Sequence, residues 1–69
     1  MRRYLLYDIM ERKEMSTKDV VENSNGLLTY KMVTSQLAGR NKITTDDHIK
    51  GWRKALSLSD DELIKIFFD

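Results

Sequence analysis

Apolar positions in this chain recur at three- and four-residue intervals, not every second residue, and they fall into five short blocks separated by turn signals. The first block, about residues 2–13, sets Leu5, Leu6, Ile9 and Met10 on one stripe, the spacing of an amphipathic helix. A second runs from Ser16 to about Asn23, after which Asn25-Gly26 takes left-handed backbone geometry at little cost, so the chain turns there. A third helix, from about Thr29 to Ala38, turns Tyr30, Val33 and Leu37 inward and ends at Gly39 as a C-terminal cap. The fourth, from Thr45 to about Leu56, buries Ile49, Trp52 and Leu56, and the fifth, from Asp60 to the end, presents Leu63, Ile64, Ile66, Phe67 and Phe68. The pattern predicts an all-α fold, a compact bundle of about five short helices forming one domain over residues 1–69.

Helix starts repeat one punctuation, a hydroxyl residue with an acid three positions later: Ser16 with Asp19, Thr44 with Asp47, and Ser59 with Glu62. In each, the hydroxyl accepts from an orphan amide of the first turn while the acid reaches back and complements the helix dipole. Met15 and Leu58 precede two of these caps and are placed to staple onto Val20 and Leu63.

Charge changes the picture more than composition does. The formal net charge of +1 divides into zero over residues 1–30, +4 over 31–54 and −3 over 55–69. A basic middle beside an acidic tail is expected to give one face to an anionic partner and turn the other away, although charges this small also suit a plain solvated surface. Sixty-nine residues is near the lower limit for a self-sufficient core. With no cysteine there is neither a disulfide staple nor a thiolate zinc site, which fits a cytoplasmic setting. No stretch resembles a signal peptide or membrane span.

The order of elements resembles the lambda-repressor/Cro-type (XRE-like) helix-turn-helix domain over nearly the whole chain. "MSTKDVVENSNG" corresponds to the scaffold helix and turn, and "TYKMVTSQLAGRNK" to the recognition helix and its exit. The closest correspondence is "TTDDHIKGWRKALSLSDDELIKIFF", where Ala55-Leu56 ends a helix and Asp61-Glu62-Leu63 opens the next after a short turn. The chain departs from the family in two places. Val21 stands where a small residue, often alanine, is usual, and Lys31 falls where an apolar anchor is expected ten residues later; burying that lysine unpaired would be costly. Val33, two residues on, has the anchor's character. The motif therefore reads as modified, with Leu27 and Leu28 lengthening the turn and covering the gap that Val21 opens. The resemblance implies a sequence-specific transcriptional regulator of a phage or other mobile element, reading the major groove of a double-stranded DNA operator with the helix at about 29–38 and acting as a homodimer.

If Tyr30, Val33 and Leu37 face inward, Lys31, Met32, Ser35 and, at the edge, Gln36 face out. Lys31 suits guanine or a phosphate, Ser35 and Gln36 suit base edges, and Met32 suits a thymine methyl. Thr29 at the head of this helix belongs to the same surface. Arg40, Asn41 and Lys42 follow the helix and suit the phosphate backbone, and Ser16, Thr17 and Lys18 with the amides of the second helix make a second phosphate clamp. Each has a purely structural alternative: Met32 as packing, Arg40 to Lys42 as a solvated turn, Ser16 as a cap alone. A pI near 8.0 lies below the range of many dedicated DNA binders, so weak binding by a monomer is expected.

The tail carries more apolar surface than one helix face hides. With Leu63, Ile66 and Phe67 turned to the core, Ile64 and Phe68 form an outward ridge, the expected dimer interface, with core filling as the alternative. His48, the sole histidine, has no cysteine, second histidine or glycine-rich phosphate loop to work with, and reads as a helix-surface residue; no enzyme, metal or cofactor is expected. Gly51, inside a helix, would be justified by another helix passing close beside Trp52, with simple tolerance of the glycine as the alternative. The rival function is an antirepressor or inhibitor that binds another regulatory protein through the altered turn and third helix, since one fold hosts many functions.

Overall fold

A computed structural model describes residues 2–40 and 45–68, and within them every regular element is helical. Helix α1 spans Arg3–Arg12, α2 Thr17–Asn23, α3 Tyr30–Leu37, α4 Asp46–Leu56 and α5 Asp60–Leu63, the last continuing directly into a π-helical turn, Ile64–Phe68. The chain packs within 26 × 24 × 20 Å, and among the described residues no helix is long and apolar enough to cross a membrane.

The helix starts follow from side-chain chemistry. Ser16 and Ser59 form complete capping boxes: each hydroxyl accepts from the amide three residues on, and Asp19 and Glu62 accept in return from the Ser16 and Ser59 amides at 2.9 and 3.0 Å. Thr29 caps α3 by accepting from the Met32 amide. The start of α4 differs from expectation. Thr45 is the cap, accepting from the His48 amide, so the third helical position holds His48; the anticipated pairing of Thr44 with Asp47 involves a residue outside those described.

Three helices end alike. A residue at the C-cap or just after it takes left-handed geometry, and the amide beyond it returns to the carbonyl five residues back: Met15 to Met10, Arg40 to Ser35 and Leu58 to Arg53. Gly39 occupies the left-handed position after α3, whereas Glu14 and Ser57 occupy it after α1 and α4 with φ of 54° and 52°. Such a Schellman closure satisfies orphan carbonyls that would otherwise need water. The Lys13 ammonium satisfies another by donating to the Leu56 carbonyl.

One core joins α1 to α4 and the C-terminal turn: Leu6, Ile9 and Met10 from α1, Val20 from α2, Val33 and Leu37 from α3, Trp52, Ala55 and Leu56 from α4, and Ile66 from the C-terminal turn, with Leu28 and Leu58 from connections and Leu63 of α5 half-buried against it. The α1 stripe is as the pattern predicts, except that Leu5 is only half-buried. The α2–α3 connection turns at Asn25-Gly26, both with positive φ, and is fastened from inside. The fully buried Ser24 hydroxyl donates to the Val21 carbonyl at 2.7 Å and accepts from the Leu28 amide at 3.1 Å.

Leu27 and Leu28 of that connection also account for a glycine in α4. Their packing surface is Gly51 of α4, where a Cβ would stand 2.7 Å from Leu28 Cγ and 3.0 Å from Leu27 Cβ. The close neighbour of Gly51 is therefore the α2–α3 connection and not another helix. Val21 is half-buried against the core. Across the α4–α5 turn, Arg53 of the basic middle pairs with Asp60 of the acidic tail at 2.7 Å.

Candidate nucleic-acid interface

Helix α3 is held rigidly at both ends and along one face. Thr29 fixes its start, Gly39 closes its end, and the Tyr7 hydroxyl donates to the Leu37 carbonyl at 2.7 Å, pinning α1 to its last turn. Its inward face is Val33, Gln36 and Leu37, all buried, with Met32 half-buried beside them. At about 100° per residue, this arc leaves Lys31 opposite the core and Tyr30 about a quarter-turn off it, and Tyr30 is 60% exposed.

The helix is thus rotated from the sequence-based expectation, and Gln36 and Tyr30 exchange roles. Gln36, expected at a base edge, is 1% exposed. The cause lies on α4: the Trp52 ring is fully buried, its indole N–H needs an acceptor, and Gln36 Oε1 supplies one at 2.8 Å. Gln36 Nε2 faces His48 Nδ1 at 3.1 Å. The Trp52 bond fixes which end of the amide is oxygen, so Nε2 is the donor and His48 Nδ1 accepts, with the ring proton on Nε2. His48 is accordingly a half-buried member of this network and not a free surface residue.

Of the remaining candidates on α3, Lys31 is exposed and Ser35 half-buried; Met32, expected outward for a thymine methyl, packs against the core. Thr34 donates to the carbonyls of Tyr30 and Lys31. Arg40 is exposed after the cap; Asn41 and Lys42 lie outside the described residues. Helix α3 has no acidic residue. Among the described residues, Arg12, Lys18 and Arg53 pair with Glu62, Glu22 and Asp60, whereas Lys31 and Arg40 have no carboxylate partner.

The second clamp, at the start of α2, is already occupied from within. The Ser16 amide and hydroxyl both donate to Asp19 Oδ2, at 2.9 and 3.0 Å, and these bonds, the amide's first, hold the Asp19 carboxyl below its ordinary value. Thr17 is half-buried and Lys18 lies 4.0 Å from Glu22. An anion thus sits at that helix start before any phosphate arrives.

Two further surfaces stand apart from α3. Ile64 and Phe68 are 53% and 66% exposed, while Ile66 is buried and Leu63 and Phe67 half-buried. Between α1 and the C-terminal turn runs a groove of about 590 Å³, floored by Leu5, Ile9 and Ile66 and rimmed by Asp8, Arg12 and Glu62.

Sequence reasoning missed Gln36 as a core residue and the docking of α1 onto the end of α3. The first had a signal in the single tryptophan, whose indole N–H demands a polar partner wherever the ring is buried; the second had only the four-residue spacing of Arg3 and Tyr7. Compared with family models, curated proteins and solved structures, the chain matches none.

Proposed function

We propose that the chain is a sequence-specific DNA-binding regulator that presents α3 to a duplex major groove. The observation that carries this reading is the division of α3: its inner face is locked by Val33, Gln36 and Leu37, and its outer face offers Lys31 with no acid on the helix and no carboxylate partner among the described residues. A rigid helix with an unneutralised cation on its free side suits a polyanion. Lys31 and Ser35 are the base-edge contacts, Tyr30 joins them in place of Gln36, and Arg40 serves the backbone.

A two-fold operator needs two reading heads. The exposed pair Ile64 and Phe68 is the surface through which two copies associate in this reading.

The test is selection of bound duplexes from a random pool, followed by titration of the selected duplex against salt. Phosphate neutralisation makes affinity fall steeply as salt rises. Lys31→Ala and Ser35→Ala each weaken the selected duplex by about 1–3 kcal/mol if both read bases. Recovery of no preferred sequence overturns the reading.

Exposed Tyr30 supports a second reading, an antirepressor or inhibitor contacting another regulatory protein, because tyrosine is enriched where proteins meet. A predominantly apolar contact of that kind would show little salt dependence.

A further inference from the structure

The start of α1 is not part of the surface just described, yet its first cation lies against the end of α3. The Arg3 guanidinium rests over Gly39, where an added Cβ would stand 2.7 Å from Cζ and 2.8 and 2.9 Å from the two terminal nitrogens. Gly39 therefore serves twice: its φ of +81° closes α3, and its missing side chain leaves room for Arg3. Tyr7, one turn along α1, donates to the Leu37 carbonyl, and the Arg2 amide donates to the Ile66 carbonyl at 2.8 Å. Arg3 is consequently carried by an element fixed on both sides of it.

The electrostatics are one-sided. Arg40 follows Gly39 directly, the first turn of α1 contains no acid, and among the described residues no carboxylate pairs with Arg3. Both arginines are exposed. A guanidinium presents a planar fork suited to phosphate oxygens.

We propose that Arg3 is a backbone-positioning residue, contacting a DNA phosphodiester beside the C-terminal end of α3 and so extending the contact surface from α3 onto α1. The inference rests on the DNA reading above. Its structural competitor is a role inside the protein, in which Arg3 merely complements the negative end of the α3 dipole.

Three proteins, the parent, Arg3→Gln and Arg3→Lys, are titrated with the selected duplex and with a random-sequence duplex across a salt series, and their thermal midpoints are recorded. Loss of one phosphate contact lowers the slope of log affinity against log salt by about 0.9 and weakens binding on the order of tenfold at 0.1 M salt. For Arg3→Gln the same loss is expected on both duplexes, because a phosphate contact carries no sequence information. Arg3→Lys is expected to keep the slope. An unchanged slope for Arg3→Gln overturns the inference while leaving the DNA reading standing, as does a fall in thermal midpoint alone. A parent that binds neither duplex overturns both.

Discussion

The indole N–H of Trp52 donates to Oε1 of Gln36 across 2.8 Å, in a site where the tryptophan is fully buried and the glutamine 1% exposed. The bond ties α3 to α4 and sets which face of α3 is free. A Gln36→Leu substitution keeps most of the volume but leaves the indole N–H without a partner, so it is expected to cost about 1–3 kcal/mol. Urea denaturation checks this, with the midpoint falling at constant m-value. A base-reading Gln36 would instead leave stability unchanged and reduce DNA affinity.

Gly51 is the second position where packing overrides local preference. Alanine would improve helix propensity by up to about 1 kcal/mol, but its Cβ would meet Leu28 Cγ at 2.7 Å, and Leu28 is 2% exposed with little room to yield. Overpacking of this kind costs about 1–3 kcal/mol. Gly51→Ala is therefore expected to be destabilising in thermal or urea unfolding, opposite to the sign that helix propensity gives.

Ser57 offers the reverse case. It holds the left-handed position after α4 with φ 52°, a conformation that costs a residue with Cβ roughly 1–2 kcal/mol. Glycine removes that cost and returns about 0.5–1 kcal/mol of it through greater freedom in the unfolded chain. Ser57→Gly is expected to raise stability by about 0.5–1 kcal/mol, read as a higher urea midpoint.

The two capping boxes predict an acid-sensitive component of stability. The Ser16 amide holds the Asp19 carboxyl below its ordinary value, and the Ser59 amide does the same for Glu62. A carboxyl with a lowered folded-state pKa stabilises the fold fully above its unfolded value, near pH 4, and loses that contribution as pH falls through the folded-state value. Asp19→Asn and Glu62→Gln are thus expected to be less stable than the parent at pH 7, with the gap closing below about pH 4. Urea midpoints measured from pH 7 to pH 3 decide it, and a gap independent of pH would remove the charge from the explanation.

Ile64 and Phe68, exposed and four residues apart on the C-terminal turn, carry the association prediction. Sedimentation of the parent is expected to show a dimer at high micromolar concentration, and the Ile64→Asp/Phe68→Asp double variant a folded monomer. A parent that stays monomeric rules out the dimer.

Much of the fold is legible along the chain because it is settled within one helical turn. Ser16, Ser59 and Gly39 announce helix ends through bonds spanning three to five residues, and the spacing of Leu6, Ile9 and Met10 marks the buried stripe of α1 without reference to anything else. The division of the tail into buried Ile66 and exposed Ile64 and Phe68 is the one the apolar spacing predicts, although the backbone there is π-helical and not α-helical.

The rotation of α3 was not settled so locally. Tyr30 and Gln36 both lie near the edge of an apolar stripe centred on Val33, and hydrophobicity alone favours burying the tyrosine. The choice was made by Trp52, sixteen residues away, whose buried N–H needs an oxygen that Gln36 provides. In the same way only the folded chain could seat Leu27 and Leu28 on Gly51, set Arg3 over Gly39 and pair Arg53 with Asp60. The sequence by itself determined where helices begin, where they end and their period, because backbone groups are satisfied by near neighbours. The tertiary structure decided which way α3 faces, because a buried polar atom takes its partner from whichever element the packing brings against it.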